Sequence, residues 1–240
     1  MIATTKMQSS STVSRFAVFG LGNPGEAFVH TRHNIGAFAV ERFARRFFNA
    51  ELRNDVAMTT AARVRAQTTR RFLKTNDLRN VDLFLVQPTT FMNRSGAGTS
   101  LRLRVRWRWL RGCAAVRGFV DYYKIPVRNI LVVSDDIDLP LSRVRVRRRG
   151  SSGGQKGVES VIRHLGSSQF DRLRIGIGQP SVGRSLTDHV MAKFASHEES
   201  ALEHGLLLAD RALQAWLMHG SVQAANLVNG APGLVDADDE

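Results

Sequence analysis

Cysteine is almost absent: Cys113 stands alone, which excludes a disulfide framework and a cysteine-based zinc site and points to a reducing compartment. No run approaches the ~18 apolar residues of a membrane-spanning helix, and no internal repeat is present. Acids are outnumbered, with 21 Asp and Glu against 34 Lys and Arg and a formal net charge of +13. That imbalance favours a polyanionic partner such as nucleic acid over a neutral metabolite, the plainer reading being a solvated basic face. What is there is 240 residues, 43% of them hydrophobic, enough to bury a core in one domain with tails.

The tails differ in character. Residues 1–15 hold seven Ser/Thr, two basic residues and no acid, the pattern of a disordered tail or a short targeting segment. From Gly230 the chain turns acidic and ends in Ala-Asp-Ala-Asp-Asp-Glu, read as disordered.

Between them, residues 16–34 concentrate the chemistry. A short apolar run, 16–19, reads as a buried strand and breaks at Gly20-Leu21-Gly22-Asn23-Pro24-Gly25, where glycines permit close backbone approach and Pro24 sets a turn. Asn23 and His33 lie between a strand end and a helix start, where open α/β sheets place ligands. The string matches a dinucleotide fingerprint, but Pro24 follows where a helix should open and no acid closes a strand twenty or so residues later. Helical spacing through Ile35, Phe38, Ala39, Phe43 and Phe47 predicts a helix over 34–48 with Asn34 as N-cap. A helix N-terminus disfavours imidazolium, which keeps His33 neutral and suits a general base; a turn histidine that merely satisfies backbone groups is the plain alternative.

Further strands are predicted at 81–86, 130–133 and 173–177, and helices at 114–124, 158–165 and 198–218. Residues 52–79 alternate weakly and read as a modest strand with a polar loop. The 81–86 strand delivers Met92 and Asn93 to a turn. The 130–133 strand runs into Asp135, Asp136 and Asp138, which could bind a metal, be solvated, or orient a base; no second acidic cluster or paired histidine completes a metal shell. Residues 97–113 alternate five arginines with Leu, Val and Trp, as in a strand or an extended basic flap able to lie on RNA.

Arg143, Arg145, Arg147, Arg148 and Arg149 lead into Gly150-Ser151-Ser152-Gly153-Gly154. This is formally a nucleophile elbow at Ser152, but an elbow follows a buried central strand and this one is half charge. A glycine loop beside arginines reads instead as a phosphate-contacting lip. Strands alternating with helices, and delivering Asn23, His33, Asn93 and Asp135 to loops, predict an α/β protein, a single three-layer αβα domain over 16–229 with a mixed, mostly parallel twisted sheet.

The blocks GLGNPGEAFVHTRHNIG, QPTTFMNRSG, DDIDLP, GSSGGQKGVESVI and RLRIGIGQP resemble, in order, the signature blocks of the bacterial-type peptidyl-tRNA hydrolase family. The resemblance implies a monomeric cytoplasmic enzyme, with no membrane association, that hydrolyses the ester between peptide and tRNA and so rescues prematurely released peptidyl-tRNA. It implies no metal or organic cofactor. The family's general base falls on His33 and its supporting acid on Asp135; the substrate-binding set is Asn23, Asn93, Phe28, Met92 and Lys156.

Three departures accompany it. Lys156 stands where the family carries asparagine, and a charged lysine binds phosphate or an oxyanion but cannot accept a hydrogen bond. Phe28 replaces a tyrosine, and residues 97–113 read as an insert. The alternatives are a catalytically weak, hydrolase-like RNA-binding and intron-splicing factor on the same fold, and a mitochondrial or plastid location if residues 1–15 target the chain.

Overall fold

The computed structural model describes residues 13–59, 62–75, 80–89 and 114–234. Seven strands form one sheet in the order β2-β3-β4-β1-β5-β7-β6. They are β1 (Ser14–Gly20), β2 (Arg53–Thr59), β3 (Ala62–Lys74), β4 (Asn80–Pro88), β5 (Ile130–Asp136), β6 (Val144–Arg147) and β7 (Asp171–Gly176). The central strands β4, β1, β5 and β7 run parallel, and β3 and β6 are antiparallel to their neighbours. Helices α1 (Ile35–Phe48), α5 (Glu199–His219) and α6 (Ser221–Val228) cover one face, and α2 (Ala114–Tyr122) and α3 (Lys156–Leu165) the other. Alternation along β1 feeds both layers, Val18 into the first core and Ala17 and Phe19 into the second. The short helix α4 (Leu186–Met191) stands apart, at the rim of the main cleft.

Within the weakly patterned stretch 52–79, Arg53–Thr59 and Ala62–Lys74 are two strands where the sequence suggests one. β2 and β3 form a long antiparallel pair, and β3 lies along β4 from Ala66 to Lys74. Backbone pairing with the buried, mostly apolar β4 holds it there, and that contribution leaves no periodic trace in β3 itself. Arg70 also grips buried Asp82 through Nε at 2.7 Å and Nη2 at 2.8 Å. Beyond α5, Gly220 at φ 84° breaks the helix and the chain turns into α6. The packed chain continues past Gly230: Ala231 rests on the core and Ser142 Oγ donates to the Leu234 carbonyl at 3.4 Å. Residues 1–12, the basic stretch 97–113, Met92, Asn93 and the acidic end 235–240 lie outside the described residues. Among the described residues no helix is long and apolar enough to cross a membrane.

Gly20, Gly22 and Gly36 serve packing. A Cβ on Gly36 would stand 2.4 Å from the Val133 carbonyl oxygen, and one on Gly20 2.6 Å from that of Gly36. The first turn of α1 therefore lies directly on β1 and β5, tied by Leu21 N to Val133 O and Ala37 N to Leu21 O, both 2.9 Å. Gly36→Ala is expected to destabilise the fold by about 1–3 kcal/mol, the usual size of overpacking. A denaturation midpoint equal to wild type would show that α1 can move aside without cost.

Candidate active site

β1 is the point where the sheet order reverses, its neighbours β4 and β5 being reached by connections to opposite sides. Ligands of open α/β sheets bind at the carboxyl ends of the strands there. A cleft of about 490 Å³ opens at that place, lined by Asn23 and His33 after β1, by Asp135 and Asp136 ending β5, by the glycine loop and by α4.

His33 sits in a single 3-10 turn, Arg32–Asn34, just before α1. Its Nδ1 meets Asp135 Oδ2 at 2.9 Å, with the Asp135 side chain 4% exposed and that of His33 14%. A carboxylate at that distance accepts a hydrogen bond from Nδ1–H, so Nε2 is the ring nitrogen left to accept a proton. The other carboxylate oxygen, Oδ1, accepts from Gln155 Nε2 at 2.8 Å. Asn34 does not cap α1 with its side chain. It clasps Asn23 instead, its Oδ1 accepting from Asn23 N at 2.8 Å and its Nδ2 donating to Asn23 O at 2.9 Å. Asn34 holds the expected N-cap position of α1, but its side chain makes no capping bond because the tertiary approach of the Gly22 turn offers it two backbone partners at once.

The other carboxylates of the cluster diverge. Asp136 pairs with Arg174 Nε and also accepts from Asp138 N at 3.0 Å, while Asp138 lies 3.8 Å from Arg174 Nη2. Burial raises the Asp136 carboxyl above its ordinary range, against the lowering pull of Arg174.

Gln155, between the glycine loop and Lys156, carries no sequence signal of its own. It caps α3, its Oε1 accepting from Val158 N at 2.6 Å, while its Nε2 reaches Asp135, so one side chain ties the glycine loop to the acid. Gly150, Gly153 and Gly154 have φ of 138°, 60° and 81°, values that disfavour other residues. Arg172 is buried beneath them and donates to the Gly150 and Ser151 carbonyls; burial lowers its proton affinity, as does nearby Arg174. Ser152 does not follow a central strand, since β6 is the sheet edge, so it sits in no nucleophile elbow.

Arg32 is a second residue of the site without a sequence signal. Its Nη1 donates to Ile177 O at 3.2 Å, its Nη2 to Glu198 Oε2 at 2.5 Å, and its guanidinium lies 4.6 Å over Phe194. With Arg32 N donating to Ala192 O at 2.9 Å, it fastens the chain after α4 to the turn that carries His33. Glu198 is held below the usual carboxylate range: burial, the largest single influence, pushes it up, but the hydrogen bonds from Arg32 and Ala195 N and the nearby charges of Arg32 and His197 together outweigh it. No pattern signals Arg32, because its partners come from more than a hundred residues away.

Of the other candidates, Lys156 opens α3 and lines the cleft, as do Arg147 and Arg149. Arg143, just before β6, and Arg145 on it are half-buried away from the lining, and Arg148 lines a different groove. Phe28 is half-buried in a separate 3-10 turn, Glu26–Phe28, and is not among the lining residues.

The family model described as Peptidyl-tRNA hydrolase matches residues 17–107 and 111–234. The chain belongs to that family. Its match breaks at 108–110, inside the 97–113 stretch. A peptidyl-tRNA hydrolase of Rhodopirellula baltica is 36% identical, covering 90% of this chain and 98% of the relative. One of Geobacillus kaustophilus is 35% identical, over 88% and 97%. The crystal structure of peptidyl-tRNA hydrolase from Acinetobacter baumannii superposes with a TM-score of 0.68 at 30% identity, over 92% of this chain and 96% of that one.

Proposed function

We propose that this chain hydrolyses the ester joining a peptide to the 3′ end of tRNA, as a cytoplasmic monomer that frees tRNA for translation. The observation that carries the reading is the 2.9 Å contact between His33 Nδ1 and Asp135 Oδ2 inside the cleft. With Nδ1–H directed at Asp135, Nε2 takes a proton from water as the oxygen attacks the ester carbonyl. The resulting imidazolium, stabilised by Asp135, returns the proton to the departing ribose 3′-oxygen. Asn23, with Asn93 as its expected counterpart, supplies side-chain amides suited to the peptide backbone and to the developing oxyanion. No step calls on a metal or organic cofactor. The relatives carry the hydrolase name, and nothing in the site favours the splicing-factor alternative.

The test is release of peptide from N-blocked aminoacyl-tRNA by the purified protein. Release is expected, and its absence with folded protein would overturn the reading. The lip of the cleft gives a second expectation. Arg147 and Arg149 line it, and each phosphate neutralised steepens the fall of log affinity with log salt by roughly 0.7–0.9. Arg147→Ala should flatten the slope by about that amount, with similar losses for different tRNAs. A loss confined to one tRNA sequence would mean base reading instead.

A further inference from the structure

At the end of the sheet opposite His33, a second groove of about 630 Å³ runs past the starts of β5 and β7. Three arginines line it: Arg128 before β5, and Arg148 and Arg149 after β6. All three are exposed, and none forms an ion pair with a carboxylate among the described residues. The acid in its lining is Asp171, whose Oδ2 accepts Trp216 Nε1–H at 2.7 Å and which also hydrogen-bonds Ser221. That carboxylate is thus bound into the groove's frame. Burial raises it, partly offset by these bonds and by Arg148. Gly220 and Ser221, at the N-terminus of α6, complete one wall, where backbone N–H groups favour an anion.

Arg149 lines both this groove and the catalytic cleft, so the two positive surfaces are continuous across the arginine run. We propose that the groove holds the ribose–phosphate backbone of the tRNA body, which passes from the cleft over Arg149 to Arg128 and Arg148. This extends the substrate reading above, placing RNA contacts at both ends of the sheet. Arg128 is the discriminating residue, because it lines only the groove and belongs to no arginine run.

The experiment measures binding of deacylated tRNA to the full chain across a salt series, for wild type, Arg128→Ala and Arg128→Glu. Removing one phosphate contact should reduce the salt slope by roughly 0.7–0.9 and weaken binding severalfold for alanine and further for glutamate. Wild-type affinity and slope in both variants would overturn the proposal. Ester cleavage by wild type is scored separately: hydrolysis without an Arg128 effect removes the groove alone, whereas an Arg128 effect without hydrolysis removes the enzymatic reading and leaves the RNA surface standing.

Discussion

Replacing His33 with alanine is expected to lower turnover on peptidyl-tRNA by at least ~10²-fold, the lower end of what positioned acid–base catalysis contributes, while tRNA affinity stays near wild type. The split follows from placement. His33 lies at the carboxyl end of β1 against Asp135, whereas the exposed arginines reside on the β6 edge and in the loops around it. The ring is largely enclosed, but among the described residues its side-chain hydrogen bond is the one to Asp135, so its loss should leave the fold standing. Steady-state kinetics beside a binding isotherm for deacylated tRNA distinguish the outcomes. Turnover near wild type would remove His33 from the role of base, and a parallel loss of binding would make it a structural residue.

Asp135→Asn carries the second large effect. An amide at this position can present an N–H to His33 Nδ1 where a carboxylate only accepts, which favours the tautomer with the proton on Nε2 and blocks the base. Turnover should therefore lose a substantial part of the roughly 10²–10⁴-fold that base catalysis provides, with KM changed little. Gln155 supplies an internal comparison, since it donates to Asp135 Oδ1 at 2.8 Å, the carboxylate oxygen that does not meet His33. Gln155→Leu should cost less than Asp135→Asn, because the imidazole keeps its acceptor. Equal losses would show that the acid's position, and not its charge and tautomer control, is what the site requires. Unimpaired turnover in Asp135→Asn would dissolve the pairing altogether.

Much of this was legible in the sequence because it is local. The apolar runs of β1, β4, β5 and β7 alternate with helical spacing in α1, α3 and α5, and a buried strand or an amphipathic helix announces itself by its own period. Asn23 and Asp135 stood out as polar residues just after apolar runs, and His33 as one just before a helix, the places where an α/β sheet exposes its loops.

What only the tertiary structure decided rests on partners distant along the chain. β3 is held by pairing with β4, so its arginines and threonines show no burial period. Asn34 holds Asn23 instead of capping α1, since the close approach of Gly20 and Gly36 to neighbouring backbone brings the two turns together. The arginine run could be read as one basic strip, yet strand pleating and the turn into the loop send Arg147 to the cleft, Arg148 to the second groove and Arg149 to both. Arg32 and Gln155 acquire their roles from Glu198 and Asp135, contacts that exist only once β1, β5 and the glycine loop are side by side. Periodicity therefore determined which elements form and which polar residues they carry, while the crossing of those elements at the β1 reversal determined which side chains meet.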